Sequence, residues 1–248
     1  MTILITGGTK GIGLGIARQL APRGEPLVLG WHGDAAAAEA AVAELAGQGA
    51  PVSAVRADVG DIGQAAELVR IAGTGGDGPL HIVHSAAAIY PTALLEADLP
   101  AFTRAIETNG LSLLYLVQPA LPWLTRGSSV VFITSAGART TLANYAALGC
   151  GKALAESLVR YLVPELAPRG VRINAVAPGL VATTSVAKMA GGEAAAERVL
   201  ERGARSNPSG RLTEAADYGA VVDFLLSDAA QFVQGQVVHV NGGAYVPG

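Results

Sequence analysis

Short apolar runs alternate with longer stretches of helical periodicity, and this order limits the possible folds more than any other feature of the chain. The strand-like runs are Ile3–Thr6, Pro26–Trp31, Val52–Arg56, Leu80–Ser85, Ser129–Thr134, Val171–Val176 and Gln236–Val240. The helical stretches are Gly13–Arg23, Ala35–Gln48, Ile62–Ala72, Pro100–Leu124, Asn144–Ala167 and Glu214–Leu226. Because helices long enough for crossovers separate the strands, the order predicts an α/β fold with a doubly wound, parallel seven-stranded sheet.

The composition favours one well-packed domain, residues 1–248. Of the 248 residues, 50% are hydrophobic and 15% are charged, which supports a sizeable core. The net charge of −3 argues against nucleic acid or an anionic membrane as a partner, since both need a concentrated basic face. Mean hydropathy is +0.39, but every apolar run is interrupted short of the ~20 residues that span a bilayer. The single cysteine, Cys150, fits a reducing compartment, and we expect a soluble cytoplasmic protein.

One segment, residues 182–208, departs from the alternating pattern. It is rich in Gly and Ala and carries only weak strand signals. It is predicted to be a mobile helical insertion near the carboxyl ends of the strands, where a substrate lid would lie.

The Gly-rich stretch TGGTKGIG, residues 6–13, follows the first strand and opens the first helix. Glycines at 7, 11 and 13 let the backbone turn sharply and approach a pyrophosphate, which then lies at the positive end of the helix. Such a turn alone is weak evidence. Its place on the first strand of a seven-strand α/β chain predicts a dinucleotide site.

The end of the second strand indicates which dinucleotide to expect. NAD sites place an acid there to hold the ribose 2′-hydroxyl, whereas this strand ends at Trp31 and His32, and the nearest acid, Asp34, lies beyond the turn. Lys10 in the Gly-rich turn would attract a 2′-phosphate, so NADPH is favoured over NADH. The alternative is that Lys10 is an exposed loop charge.

Motifs along nearly the whole chain resemble, in content and order, those of the short-chain dehydrogenase/reductase family. They are TGGTKGIG at 6–13, ADV at 57–59, Asn109, Ser135, Lys152, APGLVAT at 177–183 and VNGG at 240–243. The resemblance implies a Rossmann-type domain, a homotetramer, an Asn109 that supports the central helix and a water path, and a Lys152 that binds the nicotinamide ribose. Asp58 and Val59 would bind the adenine end, although Asp58 is also typical of a capped turn after a strand. The implied cofactor-binding residues are Gly7, Thr9, Lys10, Gly11, Ile12, Gly13, Trp31, His32, Asp58, Val59, Ser85, Ala86, Lys152, Pro178, Gly179, Val181 and Thr183.

Two departures from the carbonyl-reducing members resemble the family's enoyl-acyl carrier protein reductases. Leu148 stands four residues before Lys152, where carbonyl reducers carry a tyrosine, and Tyr145 lies seven before it. The fourth strand ends VHSAA, residues 83–87, in place of the usual Asn-Asn-Ala-Gly. Because the Gly-rich turn keeps the ordinary pattern, the chain is similar to the branch of enoyl reductases that keeps it too.

The spacing of Tyr145 and Lys152 suits reduction of a carbon–carbon double bond. Helical residues seven apart share a face and lie roughly 10 Å apart along the axis. In an enoyl thioester the hydride adds at the β-carbon while charge develops on the thioester oxygen, where a phenol would stabilise the enolate. Leu148 has no proton to give to an alkoxide. The α-carbon proton would come from Tyr145 or from water.

We therefore predict an NADPH-dependent enoyl-thioester reductase acting on an acyl carrier protein or coenzyme A substrate. Its catalytic residues would be Tyr145, Lys152, Ser135 and Asn109. Two alternatives remain open. One is a carbonyl or 3-oxoacyl reductase in which a shifted helix start lets Tyr145 serve a ketone. The other is a nucleotide-binding homologue without redox turnover.

Several residues near the predicted site have two interpretations each. Ser135 either binds the substrate carbonyl or positions its loop, and Tyr90, next to Ala87, either lines an acyl pocket or is a loop aromatic. The substrate-binding set is then Ala87, Tyr90, Ser135 and Tyr145. His84 fits a buried structural group better than a functional one, and Arg139 and Lys188 either meet a phosphopantetheine or are solvated. The histidines and Cys150 lack metal-ligand spacing, so no metal is predicted.

Overall fold

In the computed structural model, which describes residues 1–76 and 78–246, seven parallel strands form one sheet in the order β3-β2-β1-β4-β5-β6-β7. The strands are β1 (Thr2–Thr6), β2 (Leu27–Trp31), β3 (Val52–Arg56), β4 (Leu80–His84), β5 (Ser129–Ile133), β6 (Arg172–Pro178) and β7 (Val237–Val240). This confirms the predicted doubly wound α/β fold. The predicted domain range also includes residues 77, 247 and 248, which lie outside the described residues.

Helices cover both faces of the sheet. They are α1 (Gly11–Leu20), α2 (Ala35–Ala46), α3 (Ile62–Thr74), α4 (Leu99–Ile106), α5 (Ser112–Ala120), α6 (Ala146–Leu166), α7 (Thr184–Ala190), α8 (Glu193–Ser206) and α9 (Ala215–Leu226). Among the described residues, no helix combines the length and the apolarity needed to cross a bilayer. The segment 182–208 forms α7 and α8, so its predicted helical character agrees with the structure, while its role as a mobile lid stays a prediction.

The sheet separates two apolar cores. Every residue of β1, β4, β5 and β6 is buried, as expected for strands that are covered on both faces. Helices α3, α5 and α6 pack over one face, on side chains that include Leu4, Ile82 and Phe132. Helices α1 and α9 pack over the other face, on side chains that include Ile5, next to Leu4 in the sequence, and Val131, next to Phe132. The period-two alternation of strand side chains therefore supplies both cores.

The helix predicted over Pro100–Leu124, which Pro119 and Pro122 were expected to kink or end, is divided in the structure. The helix is interrupted after Ile106 by a π-helical turn, Glu107–Leu111, and ends at Ala120, one residue after Pro119. The wider turn places the Asn109 side chain against the backbone of the loop after β4. Such turns are frequent at functional sites, and their cause here is a tertiary contact that helical periodicity does not reveal.

Helix α6 begins at Ala146, not at Asn144 as predicted. Asn144 is left-handed, with a φ of 57°, and Tyr145 follows with φ −99° and ψ 0° as the residue before the helix. Tyr145 is therefore the N-cap of α6, and its carbonyl accepts the first helical hydrogen bond, from Gly149 N at 2.8 Å. Contacts with the preceding loop hold its ring.

Two glycines of α3 test the packing of the core beneath α3, α5 and α6. A Cβ on Gly73 would overlap the Trp123 ring, whereas a Cβ on the exposed Gly63 would meet only the Asp61 carboxylate at 3.4 Å. We expect G73A to lower the free energy of unfolding by about 1–3 kcal/mol through overpacking. The matched change G63A should leave it equal or raise it by about 0.5 kcal/mol, because alanine has the higher helix propensity. Urea unfolding followed by circular dichroism measures both, and equal effects would contradict this packing.

Candidate active site

The predicted site residues come together at the carboxyl edge of the sheet, where ligands bind in open α/β folds. The Gly-rich turn after β1 packs on the end of β4, since a Cβ on Gly7 would lie 2.9 Å from the Ala86 backbone. Gly7 also has a φ of 62°, which favours glycine. A Cβ on Gly11 would lie 3.4 Å from Thr183, so the segment after β6 closes the same edge.

The first turn of α1 has the features of an anion site. Lys10, the residue before the helix, makes no capping hydrogen bond with its side chain, and Gly11, the first helical residue, is exposed. The leading backbone N–H groups of a helix have no intrahelical acceptor and carry a partial positive charge. Of the other predicted turn residues, Thr9 and Gly13 are buried and Ile12 is half-buried. The turn therefore fits the pyrophosphate of a dinucleotide.

Lys10 does not stand free. Its Nζ lies 2.8 Å from Asp34 Oδ2, and Asp34 Oδ1 accepts a hydrogen bond from Ala37 N, which caps α2. The hydrogen bond from Lys10 and the capping bond hold the pKa of Asp34 below its usual value. Asp34 lies beyond the turn after β2, yet it forms an ion pair with Lys10, the residue that is expected to bind a 2′-phosphate. Both side chains remain substantially exposed.

The remaining residues predicted to bind the adenine end of the dinucleotide lie at or just after the ends of β2 and β3. Trp31 is half-buried at the end of β2 and His32 is exposed. Asp58 Oδ1 accepts a hydrogen bond from Gly60 N at 2.9 Å, which is the capped turn weighed as its alternative role. Val59 is buried. One carboxylate oxygen of Asp58 therefore serves the turn, and only the other is left for a ligand.

Lys152 is 4% exposed and lies beneath the end of β5. Its Nζ donates to the carbonyl of Ile133 at 2.8 Å and lies 4.4 Å from the centroid of the Phe132 ring. Burial lowers the pKa of Lys152 to about 7. An ammonium has three donors. One donor is occupied by Ile133, so the others fit the ribose hydroxyls of a nicotinamide nucleotide.

Tyr145 and Ser135 form a hydrogen-bonded pair. The Tyr145 hydroxyl donates to Ser135 Oγ at 3.0 Å, and Ser135 Oγ also accepts from Gly137 N. Burial raises the pKa of Tyr145, and the bond to Ser135 partly opposes this shift. Leu148, which lies on α6 between Tyr145 and Lys152, is buried. The Lys152 Nζ donates to Ile133 O and the Tyr145 hydroxyl to Ser135 Oγ, so the two groups have different partners.

Asn109 fastens the π-helical turn to the loop after β4. Its Oδ1 accepts from Ala88 N and its Nδ2 donates to Ala88 O, both at 2.9 Å. The side chain is fully buried. In this structure Asn109 therefore holds the backbone that follows the predicted residues Ser85, Ala86 and Ala87.

The other predicted residues lie on the rim. The Tyr90 hydroxyl accepts from Asp98 N at 2.9 Å, which supports the interpretation as a loop aromatic over that of a pocket lining. Pro178 ends β6, and Gly179 packs tightly on Asn241, as a Cβ there would lie 3.0 Å from its Cα. Val181 is half-buried, and so is Thr183, the residue before α7. Within 1–76 and 78–246, no group of three or more potential ligands could hold a metal ion.

His84 forms a buried network that sequence reasoning did not find. Ser112 Oγ donates to Thr108 O, so His84 Nε2 must donate to Ser112 Oγ, at 2.6 Å. His84 Nδ1 is then the acceptor for the Thr6 hydroxyl, also at 2.6 Å. Burial, and secondarily the nearby Lys152, lowers the pKa of His84 to about 3. This neutral imidazole ties β1 and β4 to the turn that carries Asn109.

A family model described as enoyl-(acyl carrier protein) reductase matches residues 7–245. The chain belongs to the short-chain dehydrogenase/reductase family. It is an oxidoreductase, and the family's nicotinamide cofactor fits the turn before α1 and the spare donors of Lys152. Among curated members, an uncharacterised oxidoreductase of Methylorubrum extorquens is 33% identical over 243 residues, covering 97% of this chain and 96% of the relative. A 3-oxoacyl-[acyl-carrier-protein] reductase of Staphylococcus aureus is 29% identical, covering 98% and 97%.

Two solved short-chain dehydrogenase/reductase structures are similar over nearly their whole length. The enoyl-[acyl-carrier-protein] reductase (NADH) of Aquifex aeolicus has a TM-score of 0.85 at 29% identity, covering 99% of this chain and 96% of that one. A short-chain dehydrogenase of Burkholderia cenocepacia in complex with NADP has a TM-score of 0.86 at 26% identity, covering 98% and 97%.

Four residues of the site carried no sequence signal. Phe132, Ser112 and Glu156 look like ordinary core or helix residues, and Asp34 looks like a turn acid. Glu156 is buried and accepts from Thr134 and Arg139. Arg139, weighed as a phosphopantetheine contact or a solvated charge, is thus anchored to the protein.

The buried amine of Lys152 predicts a pH dependence of stability for this short-chain dehydrogenase/reductase. Its folded pKa of about 7 lies below the unfolded value of about 10.4, so between these values the unfolded chain binds more protons. The free energy of unfolding should therefore rise with pH in the wild type relative to K152M, by at most about 1.4 kcal/mol per unit. Urea titrations at several pH values without added nucleotide measure this difference. Parallel pH dependence in the two proteins would contradict the lowered pKa.

Proposed function

We propose that this oxidoreductase uses NADPH to reduce the 2,3 double bond of an enoyl thioester. The observation that carries the proposal is the proton donor of the cleft. The Tyr145 hydroxyl lies 3.0 Å from Ser135 Oγ, while the position four residues before Lys152 holds the buried, apolar Leu148. The phenol is thus displaced from the place where a carbonyl reducer of this family carries its acid.

In this mechanism Tyr145 binds the thioester oxygen. A bound nicotinamide would supply a hydride to the β-carbon, and negative charge would develop on that oxygen. Because burial raises the pKa of Tyr145, the phenol stays protonated at neutral pH and acts as a hydrogen-bond donor. A donor that bonds more strongly to the enolate than to the ground-state carbonyl accelerates the reaction.

Ser135 and Lys152 support that donor in different ways. Ser135 Oγ accepts from both Tyr145 and Gly137 N, so it orients the phenol before substrate binds. Lys152 is fixed to Ile133 O and would use its other donors to hold the cofactor ribose. The α-carbon proton would then come from Tyr145 or from water.

Reduction of a 3-oxoacyl thioester is the second candidate. It is favoured by the similarity to the Staphylococcus aureus 3-oxoacyl reductase and by the Tyr145–Ser135 pair itself, which would also serve a ketone. The displaced helix start at Ala146 was the condition for this alternative. Leu148 is the argument against it, since carbonyl reducers of this family carry a tyrosine at that position.

Lys10 supports NADPH as the cofactor. It stands at the first turn of α1, and neither Trp31 nor His32 at the end of β2 is an acid. The Burkholderia cenocepacia neighbour was solved with NADP, whereas the Aquifex aeolicus neighbour carries NADH in its name. Asp34 competes with a 2′-phosphate for the Lys10 ammonium, so the preference for NADPH should be partial.

An acyl thioester on an acyl carrier protein or on coenzyme A is the substrate class that follows. We also propose a homotetramer in the cytoplasm, with α7 and α8 as the lid. Exposed aromatic side chains support assembly: Tyr161 on α6 is 73% exposed and Phe232 before β7 is fully exposed. Exposed aromatics of this size are typical of protein interfaces.

The reaction is tested by NADPH oxidation with matched four-carbon thioesters. We expect crotonyl thioester to be reduced faster than 3-oxobutyryl thioester. Y145F should lower kcat with the crotonyl substrate by roughly 100-fold or more, because one donor to the developing oxyanion is lost. The dissociation constant of NADPH should stay close to the wild-type value.

Three results would redirect the assignment. Faster reduction of the 3-oxoacyl substrate would establish the carbonyl reductase instead. Full activity of Y145F would remove Tyr145 from the mechanism. Tight NADPH binding without turnover of either substrate would favour the nucleotide-binding homologue.

Cofactor preference is tested at Lys10 and Asp34. K10A should weaken NADPH binding about tenfold and leave NADH binding unchanged, since only NADPH has the 2′-phosphate. D34N keeps an N-cap side chain on α2 but releases Lys10, and it should strengthen NADPH binding by a few-fold. Nucleotide fluorescence titrations give the dissociation constants of NADPH and NADH for each variant and for the wild type. If each variant changes NADH and NADPH binding equally, Lys10 and Asp34 do not discriminate between a 2′-hydroxyl and a 2′-phosphate.

A further inference from the structure

Glu156 is a buried acid of α6 that the proposed mechanism does not use. It is 3% exposed and lies one helical turn after Lys152. Oε1 accepts from the Thr134 hydroxyl and Oε2 accepts from Arg139 Nε, both at 2.8 Å. A carboxylate with so little water depends on such donors for its stability.

The two partners of Glu156 stand on either side of a short turn, residues 135–138. Thr134 precedes the turn and is already fixed to the sheet, because its N–H donates to Val176 O at 2.8 Å. Arg139 ends the turn, and its N–H donates to Ala136 O. The contact between Glu156 and Arg139 therefore fixes the end of the turn that the sheet does not hold.

The same turn forms the support of Tyr145. Ser135 accepts the Tyr145 hydroxyl, and Gly137 lies so close to the ring that a Cβ there would overlap it. The far side of the turn contacts α6, since a Cβ on Gly149 would lie 2.5 Å from Gly137 O. The turn therefore contacts both the Tyr145 side chain and the first part of the helix that follows it.

We propose that Glu156 is a positioning residue, which holds the turn 135–138 through Arg139 and so places the Tyr145 hydroxyl. The inference rests on the proposed function in one respect: Tyr145 is taken as the donor to the substrate oxygen. His239 of β7 lies near both Glu156 and Arg139, and burial lowers its pKa. The charge that acts on the turn is thus the carboxylate–guanidinium pair.

E156Q tests the proposal. The variant removes the charge that holds the Arg139 guanidinium, and its single amide oxygen can accept from Thr134 or from Arg139 but not from both. We expect kcat with the thioester that is reduced fastest to fall about tenfold or more, since small displacements of a catalytic group are costly. The dissociation constant of NADPH should stay within about twofold of wild type.

A second measurement follows the phenol directly. Burial raises the pKa of Tyr145 and the bond to Ser135 lowers it, so a displaced turn should move the Tyr145 titration to higher pH in E156Q. Ultraviolet difference titration against the corresponding Y145F protein isolates that tyrosine. E67Q is the matched control, because it breaks an exposed Glu–Arg pair on α3 and should change neither reading.

R139Q provides a second variant if E156Q does not fold, because the Arg139 side chain is about one-third exposed and its loss opens no cavity. It should reproduce the lower kcat and the displaced titration. Wild-type kcat and an unmoved Tyr145 titration in the folded variants would overturn the proposal, even if their unfolding free energy fell. If no thioester is reduced, the proposed function fails while the titration still decides the role of Glu156.

Discussion

The burial of the Lys152 amine beneath β5 is the constraint on which the rest of the site depends. A buried amine is stable when its N–H groups have acceptors or when it is uncharged. Here the Ile133 carbonyl and the face of the Phe132 ring contact the Lys152 amine. Both come from the end of β5, so these contacts hold α6 against the carboxyl edge of the sheet. The lowered pKa of Lys152 follows from that geometry. A ligand that offers further acceptors would restore the charge, which couples cofactor binding to protonation.

Two buried networks flank this amine and hold the segments on either side of it. On the β4 side, neutral His84 connects Thr6 with Ser112, and its ring meets the edge of Phe132 at a centroid distance of 5.4 Å. On the β5 side, Glu156 connects Thr134 with Arg139. Both networks are fully satisfied at the named atoms, and such networks rigidify a core because leaving one member unpaired is expensive. The networks thereby hold the bases of the loops at the sheet edge.

The sequence was sufficient for the sheet but not for the local geometry of the site. Strands such as β1 and β5 are recognisable because a strand buried on both faces reads as a continuous apolar run. The π-helical turn around Asn109 and the left-handed Asn144 depend on contacts with distant segments, and helical periodicity continues through both. The pairing of Asp34 with Lys10 depends on how closely the turns after β1 and β2 approach. Side-chain partners of this kind follow from the assembled sheet edge and not from spacing along the chain.

The start of α6 changes the meaning of the seven-residue spacing between Tyr145 and Lys152. If Tyr145 were helical, the phenol would be displaced by a rise along the axis, and its direction would be fixed by the helix. Because α6 begins at Ala146, the ring instead rests on Gly137 and bonds Ser135. The distance between phenol and amine is therefore set by the turn after β5. Leu148 is buried at the position four residues before Lys152 and has no proton to donate. The turn after β5 thus supports the phenol, while α6 supplies the amine.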